Sequence, residues 1–250
     1  MNTEESPHTA VQPLFNEEVA FPSLERLVIS HVDDLKIIWR NQFAVDSFYK
    51  LQVLKVLFCK NLVNVFQSDM LARFQSLEKL LVQGCPSLQA VFEVQAIDVK
   101  EMHAVTTKDP KPIFSFQNLQ RVGVVGCGSL KSIFPAYVAT CLTQLEQLVV
   151  VGCPILEEIV AGEEAEQPIA KFVFPQVTVL HLVELPRLKW FYRGVHTSEW
   201  PMLKDMLVAD CEKVEIFASE LSSFQDILLR ESKLEITIKQ PLFLVDEVRN

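Results

Sequence analysis

Cysteine carries most of the potential chemistry in this chain, and five of the six copies close similar phrases: FCKNL at Cys59, GCPSL at Cys85, GCGSL at Cys127, GCPIL at Cys153 and DCEKV at Cys211. Thiolates at C-x-x-C spacing would bind zinc or exchange disulfides, but no such pair occurs. A disulfide framework belongs to small secreted chains, which these 250 residues do not resemble. The five histidines, at 8, 31, 103, 181 and 196, share no neighbourhood, and neither H-E-x-x-H nor G-x-S-x-G is present. Glu157 and Glu158 are adjacent in an expected loop and lack the held geometry that acid–base catalysis requires. The seven glycines, at 84, 123, 126, 128, 152, 162 and 194, are scattered through strands and turns and form no G-x-x-x-x-G-K-[ST] phosphate loop. The expectation is a chain with no catalytic residue, cofactor or metal. Its cysteines then form a column of small buried thiols that donate to carbonyls where the backbone bends out of a strand. Cys141, in AYVATCLTQL, lies outside the column and is also expected to be buried.

A twelve-residue unit positions those cysteines. It starts at Leu24, Leu51, Leu77, Leu119, Leu145, Val177 and Leu203, in steps of 27, 26, 42, 26, 32 and 26 residues. Four of the steps fall in the roughly 20–29-residue window of leucine-rich repeats, and the pattern L-x-x-L-x-L-x-x-N/C-x-x-L recurs in almost every copy. The fold class predicted is α/β: a leucine-rich-repeat solenoid, curved like a horseshoe. A parallel β-sheet lines its concave face, with short helices, 3-10 turns and loops on the convex face. Period-two alternation places Leu27, Leu54, Leu80, Val122, Leu148, Leu180 and Met206 in one inward ladder. Ile29, Val56, Val82, Val124, Val150, Leu182 and Val208 form a second. One repeat cannot bury such a face alone, and a stack can.

Two further columns keep the register. Three residues before each unit stand Phe21, Phe48, Phe74, Phe116, Leu142, Phe174 and Trp200, an aromatic spine between successive turns. Six residues past the cysteine column come Ile38–Trp39, Val65–Phe66, Val91–Phe92, Ile133–Phe134, Ile159–Val160, Phe191–Tyr192 and Phe217. Only 68–75, 136–145 and 219–229 have helical character. The expected layout is a poorly ordered segment over 1–18, about seven repeats over 19–218, and a partial repeat or cap over 219–250.

The outward residues of the strands are the candidate binding surface, because a solenoid's curvature displays them in a long ordered array. Between the ladders stand Val28, Lys55, Leu81, Gly123, Val149, His181 and Leu207; beyond them come Ser30, Leu57, Gln83, Val125, Val151, Val183 and Ala209. So apolar a face suggests a protein partner, or neighbouring domains that cover it. The long steps imply insertions at 93–113 and 157–171 on the opposite side. The second carries Glu157, Glu158, Glu163, Glu164 and Glu166, which we read as a solvated loop in preference to an acidic contact strip.

A formal charge of −9 and a pI near 5.1 argue against a nucleic-acid binder. No apolar run approaches the roughly 18 residues of a membrane span. MNTEESPHTAVQPLFNEE has no signal-peptide pattern, so a cytoplasmic location is expected.

LEKLLVQGCPSLQAVF, FQNLQRVGVVGCGSLKSIFP and LEQLVVVGCPILEEIV make the chain recognisable. It resembles the C-terminal leucine-rich repeats of plant disease-resistance proteins, the intracellular receptors with a coiled coil and a nucleotide-binding switch domain, over residues 12 to 248. That resemblance implies defence signalling, in which the repeats sense a pathogen effector or a guarded host protein and hold the switch domain inactive. This chain has neither a phosphate loop nor coiled-coil heptads, so it corresponds at best to the sensor part. QPLF occurs at 12–15 and again at 240–243, each time followed by acidic residues and a valine. From this we expect a segment of a longer array, its end closed by residues 219–238. A truncated gene fragment, or a structural adaptor without an independent immune role, is the alternative.

Overall fold

The computed structural model describes residues 13–15, 20–39, 47–93, 116–162, 170–193, 196–217 and 241–243. Outside them lie the helix expected at 219–229, nearly all of the 93–113 insertion, Glu163, Glu164 and Glu166, and most of the expected lead-in and cap. In chain order the strands are β1 (Arg26–Ser30), β2 (Val53–Leu57), β3 (Asn64–Phe66), β4 (Lys79–Gln83), β5 (Ala90–Phe92), β6 (Arg121–Val125), β7 (Phe134–Pro135) and β8 (Gln147–Val151). There follow β9 (Glu158–Ala161), β10 (Ala170–Val173), β11 (Val179–Val183), β12 (Trp190–Tyr192), β13 (His196–Glu199), β14 (Asp205–Ala209), β15 (Glu215–Phe217) and β16 (Pro241–Phe243).

Seven of these form one parallel sheet in the order β1-β2-β4-β6-β8-β11-β14, one strand per repeat. Its register is the one that the leucines dictate. Leu27, Leu54, Leu80, Val122, Leu148, Leu180 and Met206 are successive partners, as are Ile29, Val56, Val82, Val124, Val150, Leu182 and Val208. From β2 to β11 the ladder residues are buried, while Leu27, Met206 and Val208 on the two outer strands remain partly open. Each strand begins with a shared acceptor: Glu25 O takes the N–H groups of both Gln52 and Val53, and the pattern repeats up to Thr178 O, which takes those of Lys204 and Asp205.

Each strand ends in a left-handed residue. His31, Phe58, Gly84, Gly126, Gly152, Glu184 and Asp210 all have φ between 54° and 65°. L side chains avoid this region and glycine does not, which explains the G of the GC phrases. The amide of each of the first six still donates to the last carbonyl of the next strand, as Gly84 N does to Val125 O at 2.8 Å. The chain then turns inward on the cysteine. Cys59, Cys85, Cys127, Cys153 and Cys211 donate their S–H to the carbonyl two residues back, at 3.3 to 3.7 Å. Burial pushes the Cys85 thiol up to about 11. Cys127 is pushed up as well, by its hydrogen bond with Cys153 and then by burial. Cys141 is partly exposed, contrary to expectation: it lies in the turn that follows the short helix Ala136–Ala139 and not on a packed face of it.

Behind the sheet the aromatic spine interleaves with the second hydrophobic column. Rings touch in sequence from Phe48 through Trp39, Phe74, Phe66, Phe116 and Phe92 to Phe134, with centroids 4.8 to 5.8 Å apart. The Trp39 indole N–H is satisfied by Val65 O at 2.6 Å. Leu142, Ile159 and Val160 replace rings in the next repeat, and the aromatic run resumes at Phe174, stacked 4.3 Å from Trp200.

The convex side holds more strand than turns and loops alone would provide. β3 pairs with β5, β7 with β9 and β9 with β12, so the hydrophobic pairs past the cysteines form a second set of parallel ladders. With 26 residues per repeat little chain is left for a helix, and β-branched and aromatic residues stack well on a pleated backbone. Among the described residues the helical stretches are a 3-10 turn, Ser68–Phe74, and an α-turn, Ala136–Ala139. Glu158, expected in a loop, begins β9, and the 157–171 insertion also supplies β10, which pairs with β13. Both QPLF copies contribute to this layer. Leu14 and Phe15 donate to Ile37 O and Ile38 O in the first repeat, and β16 pairs with β15 in the seventh.

Two substitutions separate backbone strain from crowding. At Gly126 an added Cβ finds nothing nearer than 3.8 Å, whereas at Gly84 it meets the Phe58 ring at 2.5 Å. Gly126→Ala should cost about 1–2 kcal/mol from the left-handed backbone alone. Gly84→Ala should cost roughly 1 kcal/mol or more beyond that from overpacking, with the excess vanishing in a Phe58→Ala background. Denaturant midpoints of the wild type, the three single variants and the Phe58→Ala, Gly84→Ala double variant measure this. Timed iodoacetamide alkylation read by mass spectrometry should modify Cys141 and Cys211 first and the four buried thiols only on unfolding; early loss of Cys85 or Cys127 contradicts the packing.

Candidate functional site

Inward residues are consumed by the ladders, so only the alternate positions of the seven concave strands are free to meet another molecule. The central column runs Val28, Lys55, Leu81, Gly123, Val149, His181 and Leu207 in continuous register. Val28 and Leu207, on the outer strands, are 45% and 44% exposed; the five between them are half-buried. Leu57, Gln83, Val125, Val151 and Val183 form the column at the strand ends, also half-buried, with Ser30 exposed and Ala209 half-buried beside them. The surface is therefore mainly aliphatic and rigid, since the strands that carry it are hydrogen-bonded on one or both sides.

A third column went unread in the sequence. Arg26, Val53, Lys79, Arg121, Gln147, Val179 and Asp205 occupy the strand starts and share the outward parity. Period-two alternation carried one step toward the N-terminus finds them. Together with Lys55 they make the face basic from β1 to β6 and acidic at β14, on a chain of net charge −9. Arg121 lies 3.9 Å from Glu146; Lys55 and Lys79 form no ion pair with another described residue.

The face has a depression of about 220 Å³, lined by Leu81, Gly123 and Val149 with Lys55, Lys79 and Arg121 among its walls. It exists because Gly123 stands where its neighbours carry side chains; an added Cβ would lie 3.0 Å from Leu81 Cδ1. His181 lies 3.0 Å from Asp205 across the β11–β14 pair, so its imidazole already faces a carboxylate. Among the described residues no group of three or more His, Cys, Asp or Glu side chains converges as metal ligands do. No described helix is long and apolar enough to cross a membrane.

On the opposite side, Glu157 lies 3.9 Å from Lys189. Glu158 is tucked beside Gly162 and Arg193, and burial pushes its carboxyl up, against opposing contributions from the Gly162 backbone and the Arg193 charge. Lys189 and Arg193 both lie over the Trp190 ring, at 5.0 and 5.7 Å, so cations accompany the described part of the acidic strip.

A family model described as plant disease resistance protein RPS2-like, leucine-rich repeats, matches residues 23–106 and 97–154. No curated protein and no solved structure matches the chain.

Glu158 yields a pH-dependent prediction. Its folded pKa is raised, so the ionised form is disfavoured in the folded state. The penalty is complete above the folded pKa and disappears as pH falls below the ordinary value of 4.5. Glu158→Gln should therefore raise Tm at neutral pH and leave it unchanged in acid. Thermal melts across pH check this, and a gain that grows in acid contradicts it.

Proposed function

We propose a function from one premise: the chain belongs to the plant disease resistance protein RPS2-like leucine-rich-repeat family. Within that family it is a defence-related recognition module, acting by contact and without catalysis. Its concave face senses a pathogen effector or a guarded host protein inside the plant cell, and the switch domain of a receptor can occupy the same face in the resting state. The observation that carries this reading is the half-exposed aliphatic array of Leu81, Val125, Val149, Val151, Val183 and Leu207, held in strict register on a rigid sheet. Lys55, Leu57, Gln83, His181 and Val28 complete the proposed contact surface. Apolar patches of this kind on soluble proteins generally mark interaction sites.

A capture experiment tests it. The purified chain is compared with Leu81→Glu, Val149→Glu, Leu207→Glu in leaf extract; bound proteins are identified by mass spectrometry and binding is reconstituted from purified components. The expected outcome is one protein that binds the wild type directly and binds the folded triple variant roughly 30-fold or more weakly, the scale of losing central interface anchors. Direct binding that the triple variant retains in full places recognition on another surface and overturns the reading.

A further inference from the structure

The depression at Gly123 combines two features that together specify a partner. Its floor lacks a side chain and its walls include Leu81 and Val149, so it offers an apolar seat for an aliphatic group. Its rim is cationic. Lys79 and Arg121 are direct register partners on β4 and β6, and Lys55 stands on the adjoining strand. Like charges placed opposite each other across strands repel. Only Arg121 has a carboxylate partner among the described residues, and at 3.9 Å that contact is loose. An anion seated over the three cations relieves this repulsion. Strands β2, β4, β6 and β8 are each paired on both sides, so their backbone groups are already engaged and a partner must be recognised through side chains.

We propose that this site binds an acidic segment of a partner protein, with one large aliphatic side chain in the Gly123 depression and flanking carboxylates on Lys55, Lys79 and Arg121. The inference rests on the recognition-module reading and assigns chemistry to part of the same face. Charge complementarity selects the partner: three cations cluster at this depression on a chain that carries a net charge of −9. The basic character fades toward β14, where Asp205 replaces the cations in the same column, so the acidic segment lies over β2 to β8 and does not extend to the far end.

Fluorescence anisotropy with defined peptides tests this. The probe is a fluorescein-labelled nonapeptide of alternating aspartate and glutamate with one central leucine. One control has serine at the centre and another has lysine in place of every acid. The leucine peptide should bind saturably, about 10-fold tighter than the serine peptide, as burial of one aliphatic side chain provides. It should bind more weakly as salt rises, and the lysine peptide should not bind. Lys79→Glu combined with Arg121→Glu, both exposed and tolerant of exchange, should weaken it at least 10-fold. Gly123→Leu should abolish the preference for leucine over serine, with circular dichroism confirming the fold. Equal affinity for the leucine and serine peptides, indifference to both variants, or displacement by oligothymidylate at equal concentration would each overturn the proposal. If the acidic peptides fail while the captured leaf protein still depends on Leu81, Val149 and Leu207, this inference falls alone; if that dependence is also missing, the whole face is misassigned.

Discussion

Seven times along the chain the backbone leaves a five-residue strand through a residue with φ between 54° and 65° and turns a cysteine or its substitute beneath the sheet, and at the first six of these corners the amide donates to the next repeat. This corner sets where each strand stops and hence which residues face inward. Three glycines adopt it freely. His31, Phe58, Glu184 and Asp210 adopt it at a cost of roughly 1–2 kcal/mol each. At Phe58 stacking offsets part of that cost: the ring lies over Gly84 and 5.0 Å from the His31 ring, 20° from coplanar. A glycine and its bulky neighbour one repeat away thus form one fitted unit.

The remaining architecture follows from stacking. Each repeat contributes two inward apolar residues, a thiol or in its place Val32 or Leu185, and up to three aromatics, none of which it can bury alone. The thiols use their single proton on a carbonyl two residues back, and those whose shift is upward in burial are held protonated away from reactive chemistry. The second layer of strands lets backbone groups on the convex side pair between repeats, where a 26-residue period leaves room for no more than a short helical turn. Where the period lengthens to 32, the extra residues extend this layer through β10.

With structure maintained by inward positions, the outward ones are not constrained by packing in the core. They divide by column: aliphatic at the strand ends and centre, basic at the strand starts of the early repeats, acidic at the last. Gly123 interrupts the central column and turns an aliphatic strip into a seat for a side chain. Surface ion pairs such as Lys60 to Asp33 at 2.6 Å join neighbouring repeats but, being exposed, contribute little to stability.

The repeat register, both ladders, the aromatic spine and the role of the cysteines were legible in the sequence, because a period of 26 residues and a period of two constrain residue type at every turn. The aliphatic columns of the outward face were legible for the same reason. The left-handed column was not: His, Phe, Gly, Glu and Asp share no side-chain chemistry, only a backbone angle, and Phe58 standing in the place of a glycine is intelligible once its ring is seen over Gly84. The basic column at the strand starts escaped because strand boundaries are set by hydrogen bonds to the next repeat. The second layer of strands and the Gly123 depression were decided by tertiary structure alone. A three-residue strand is stable only when its neighbour is in place to accept its hydrogen bonds, and a missing side chain becomes a cavity only when the residues on either side stand in register to wall it.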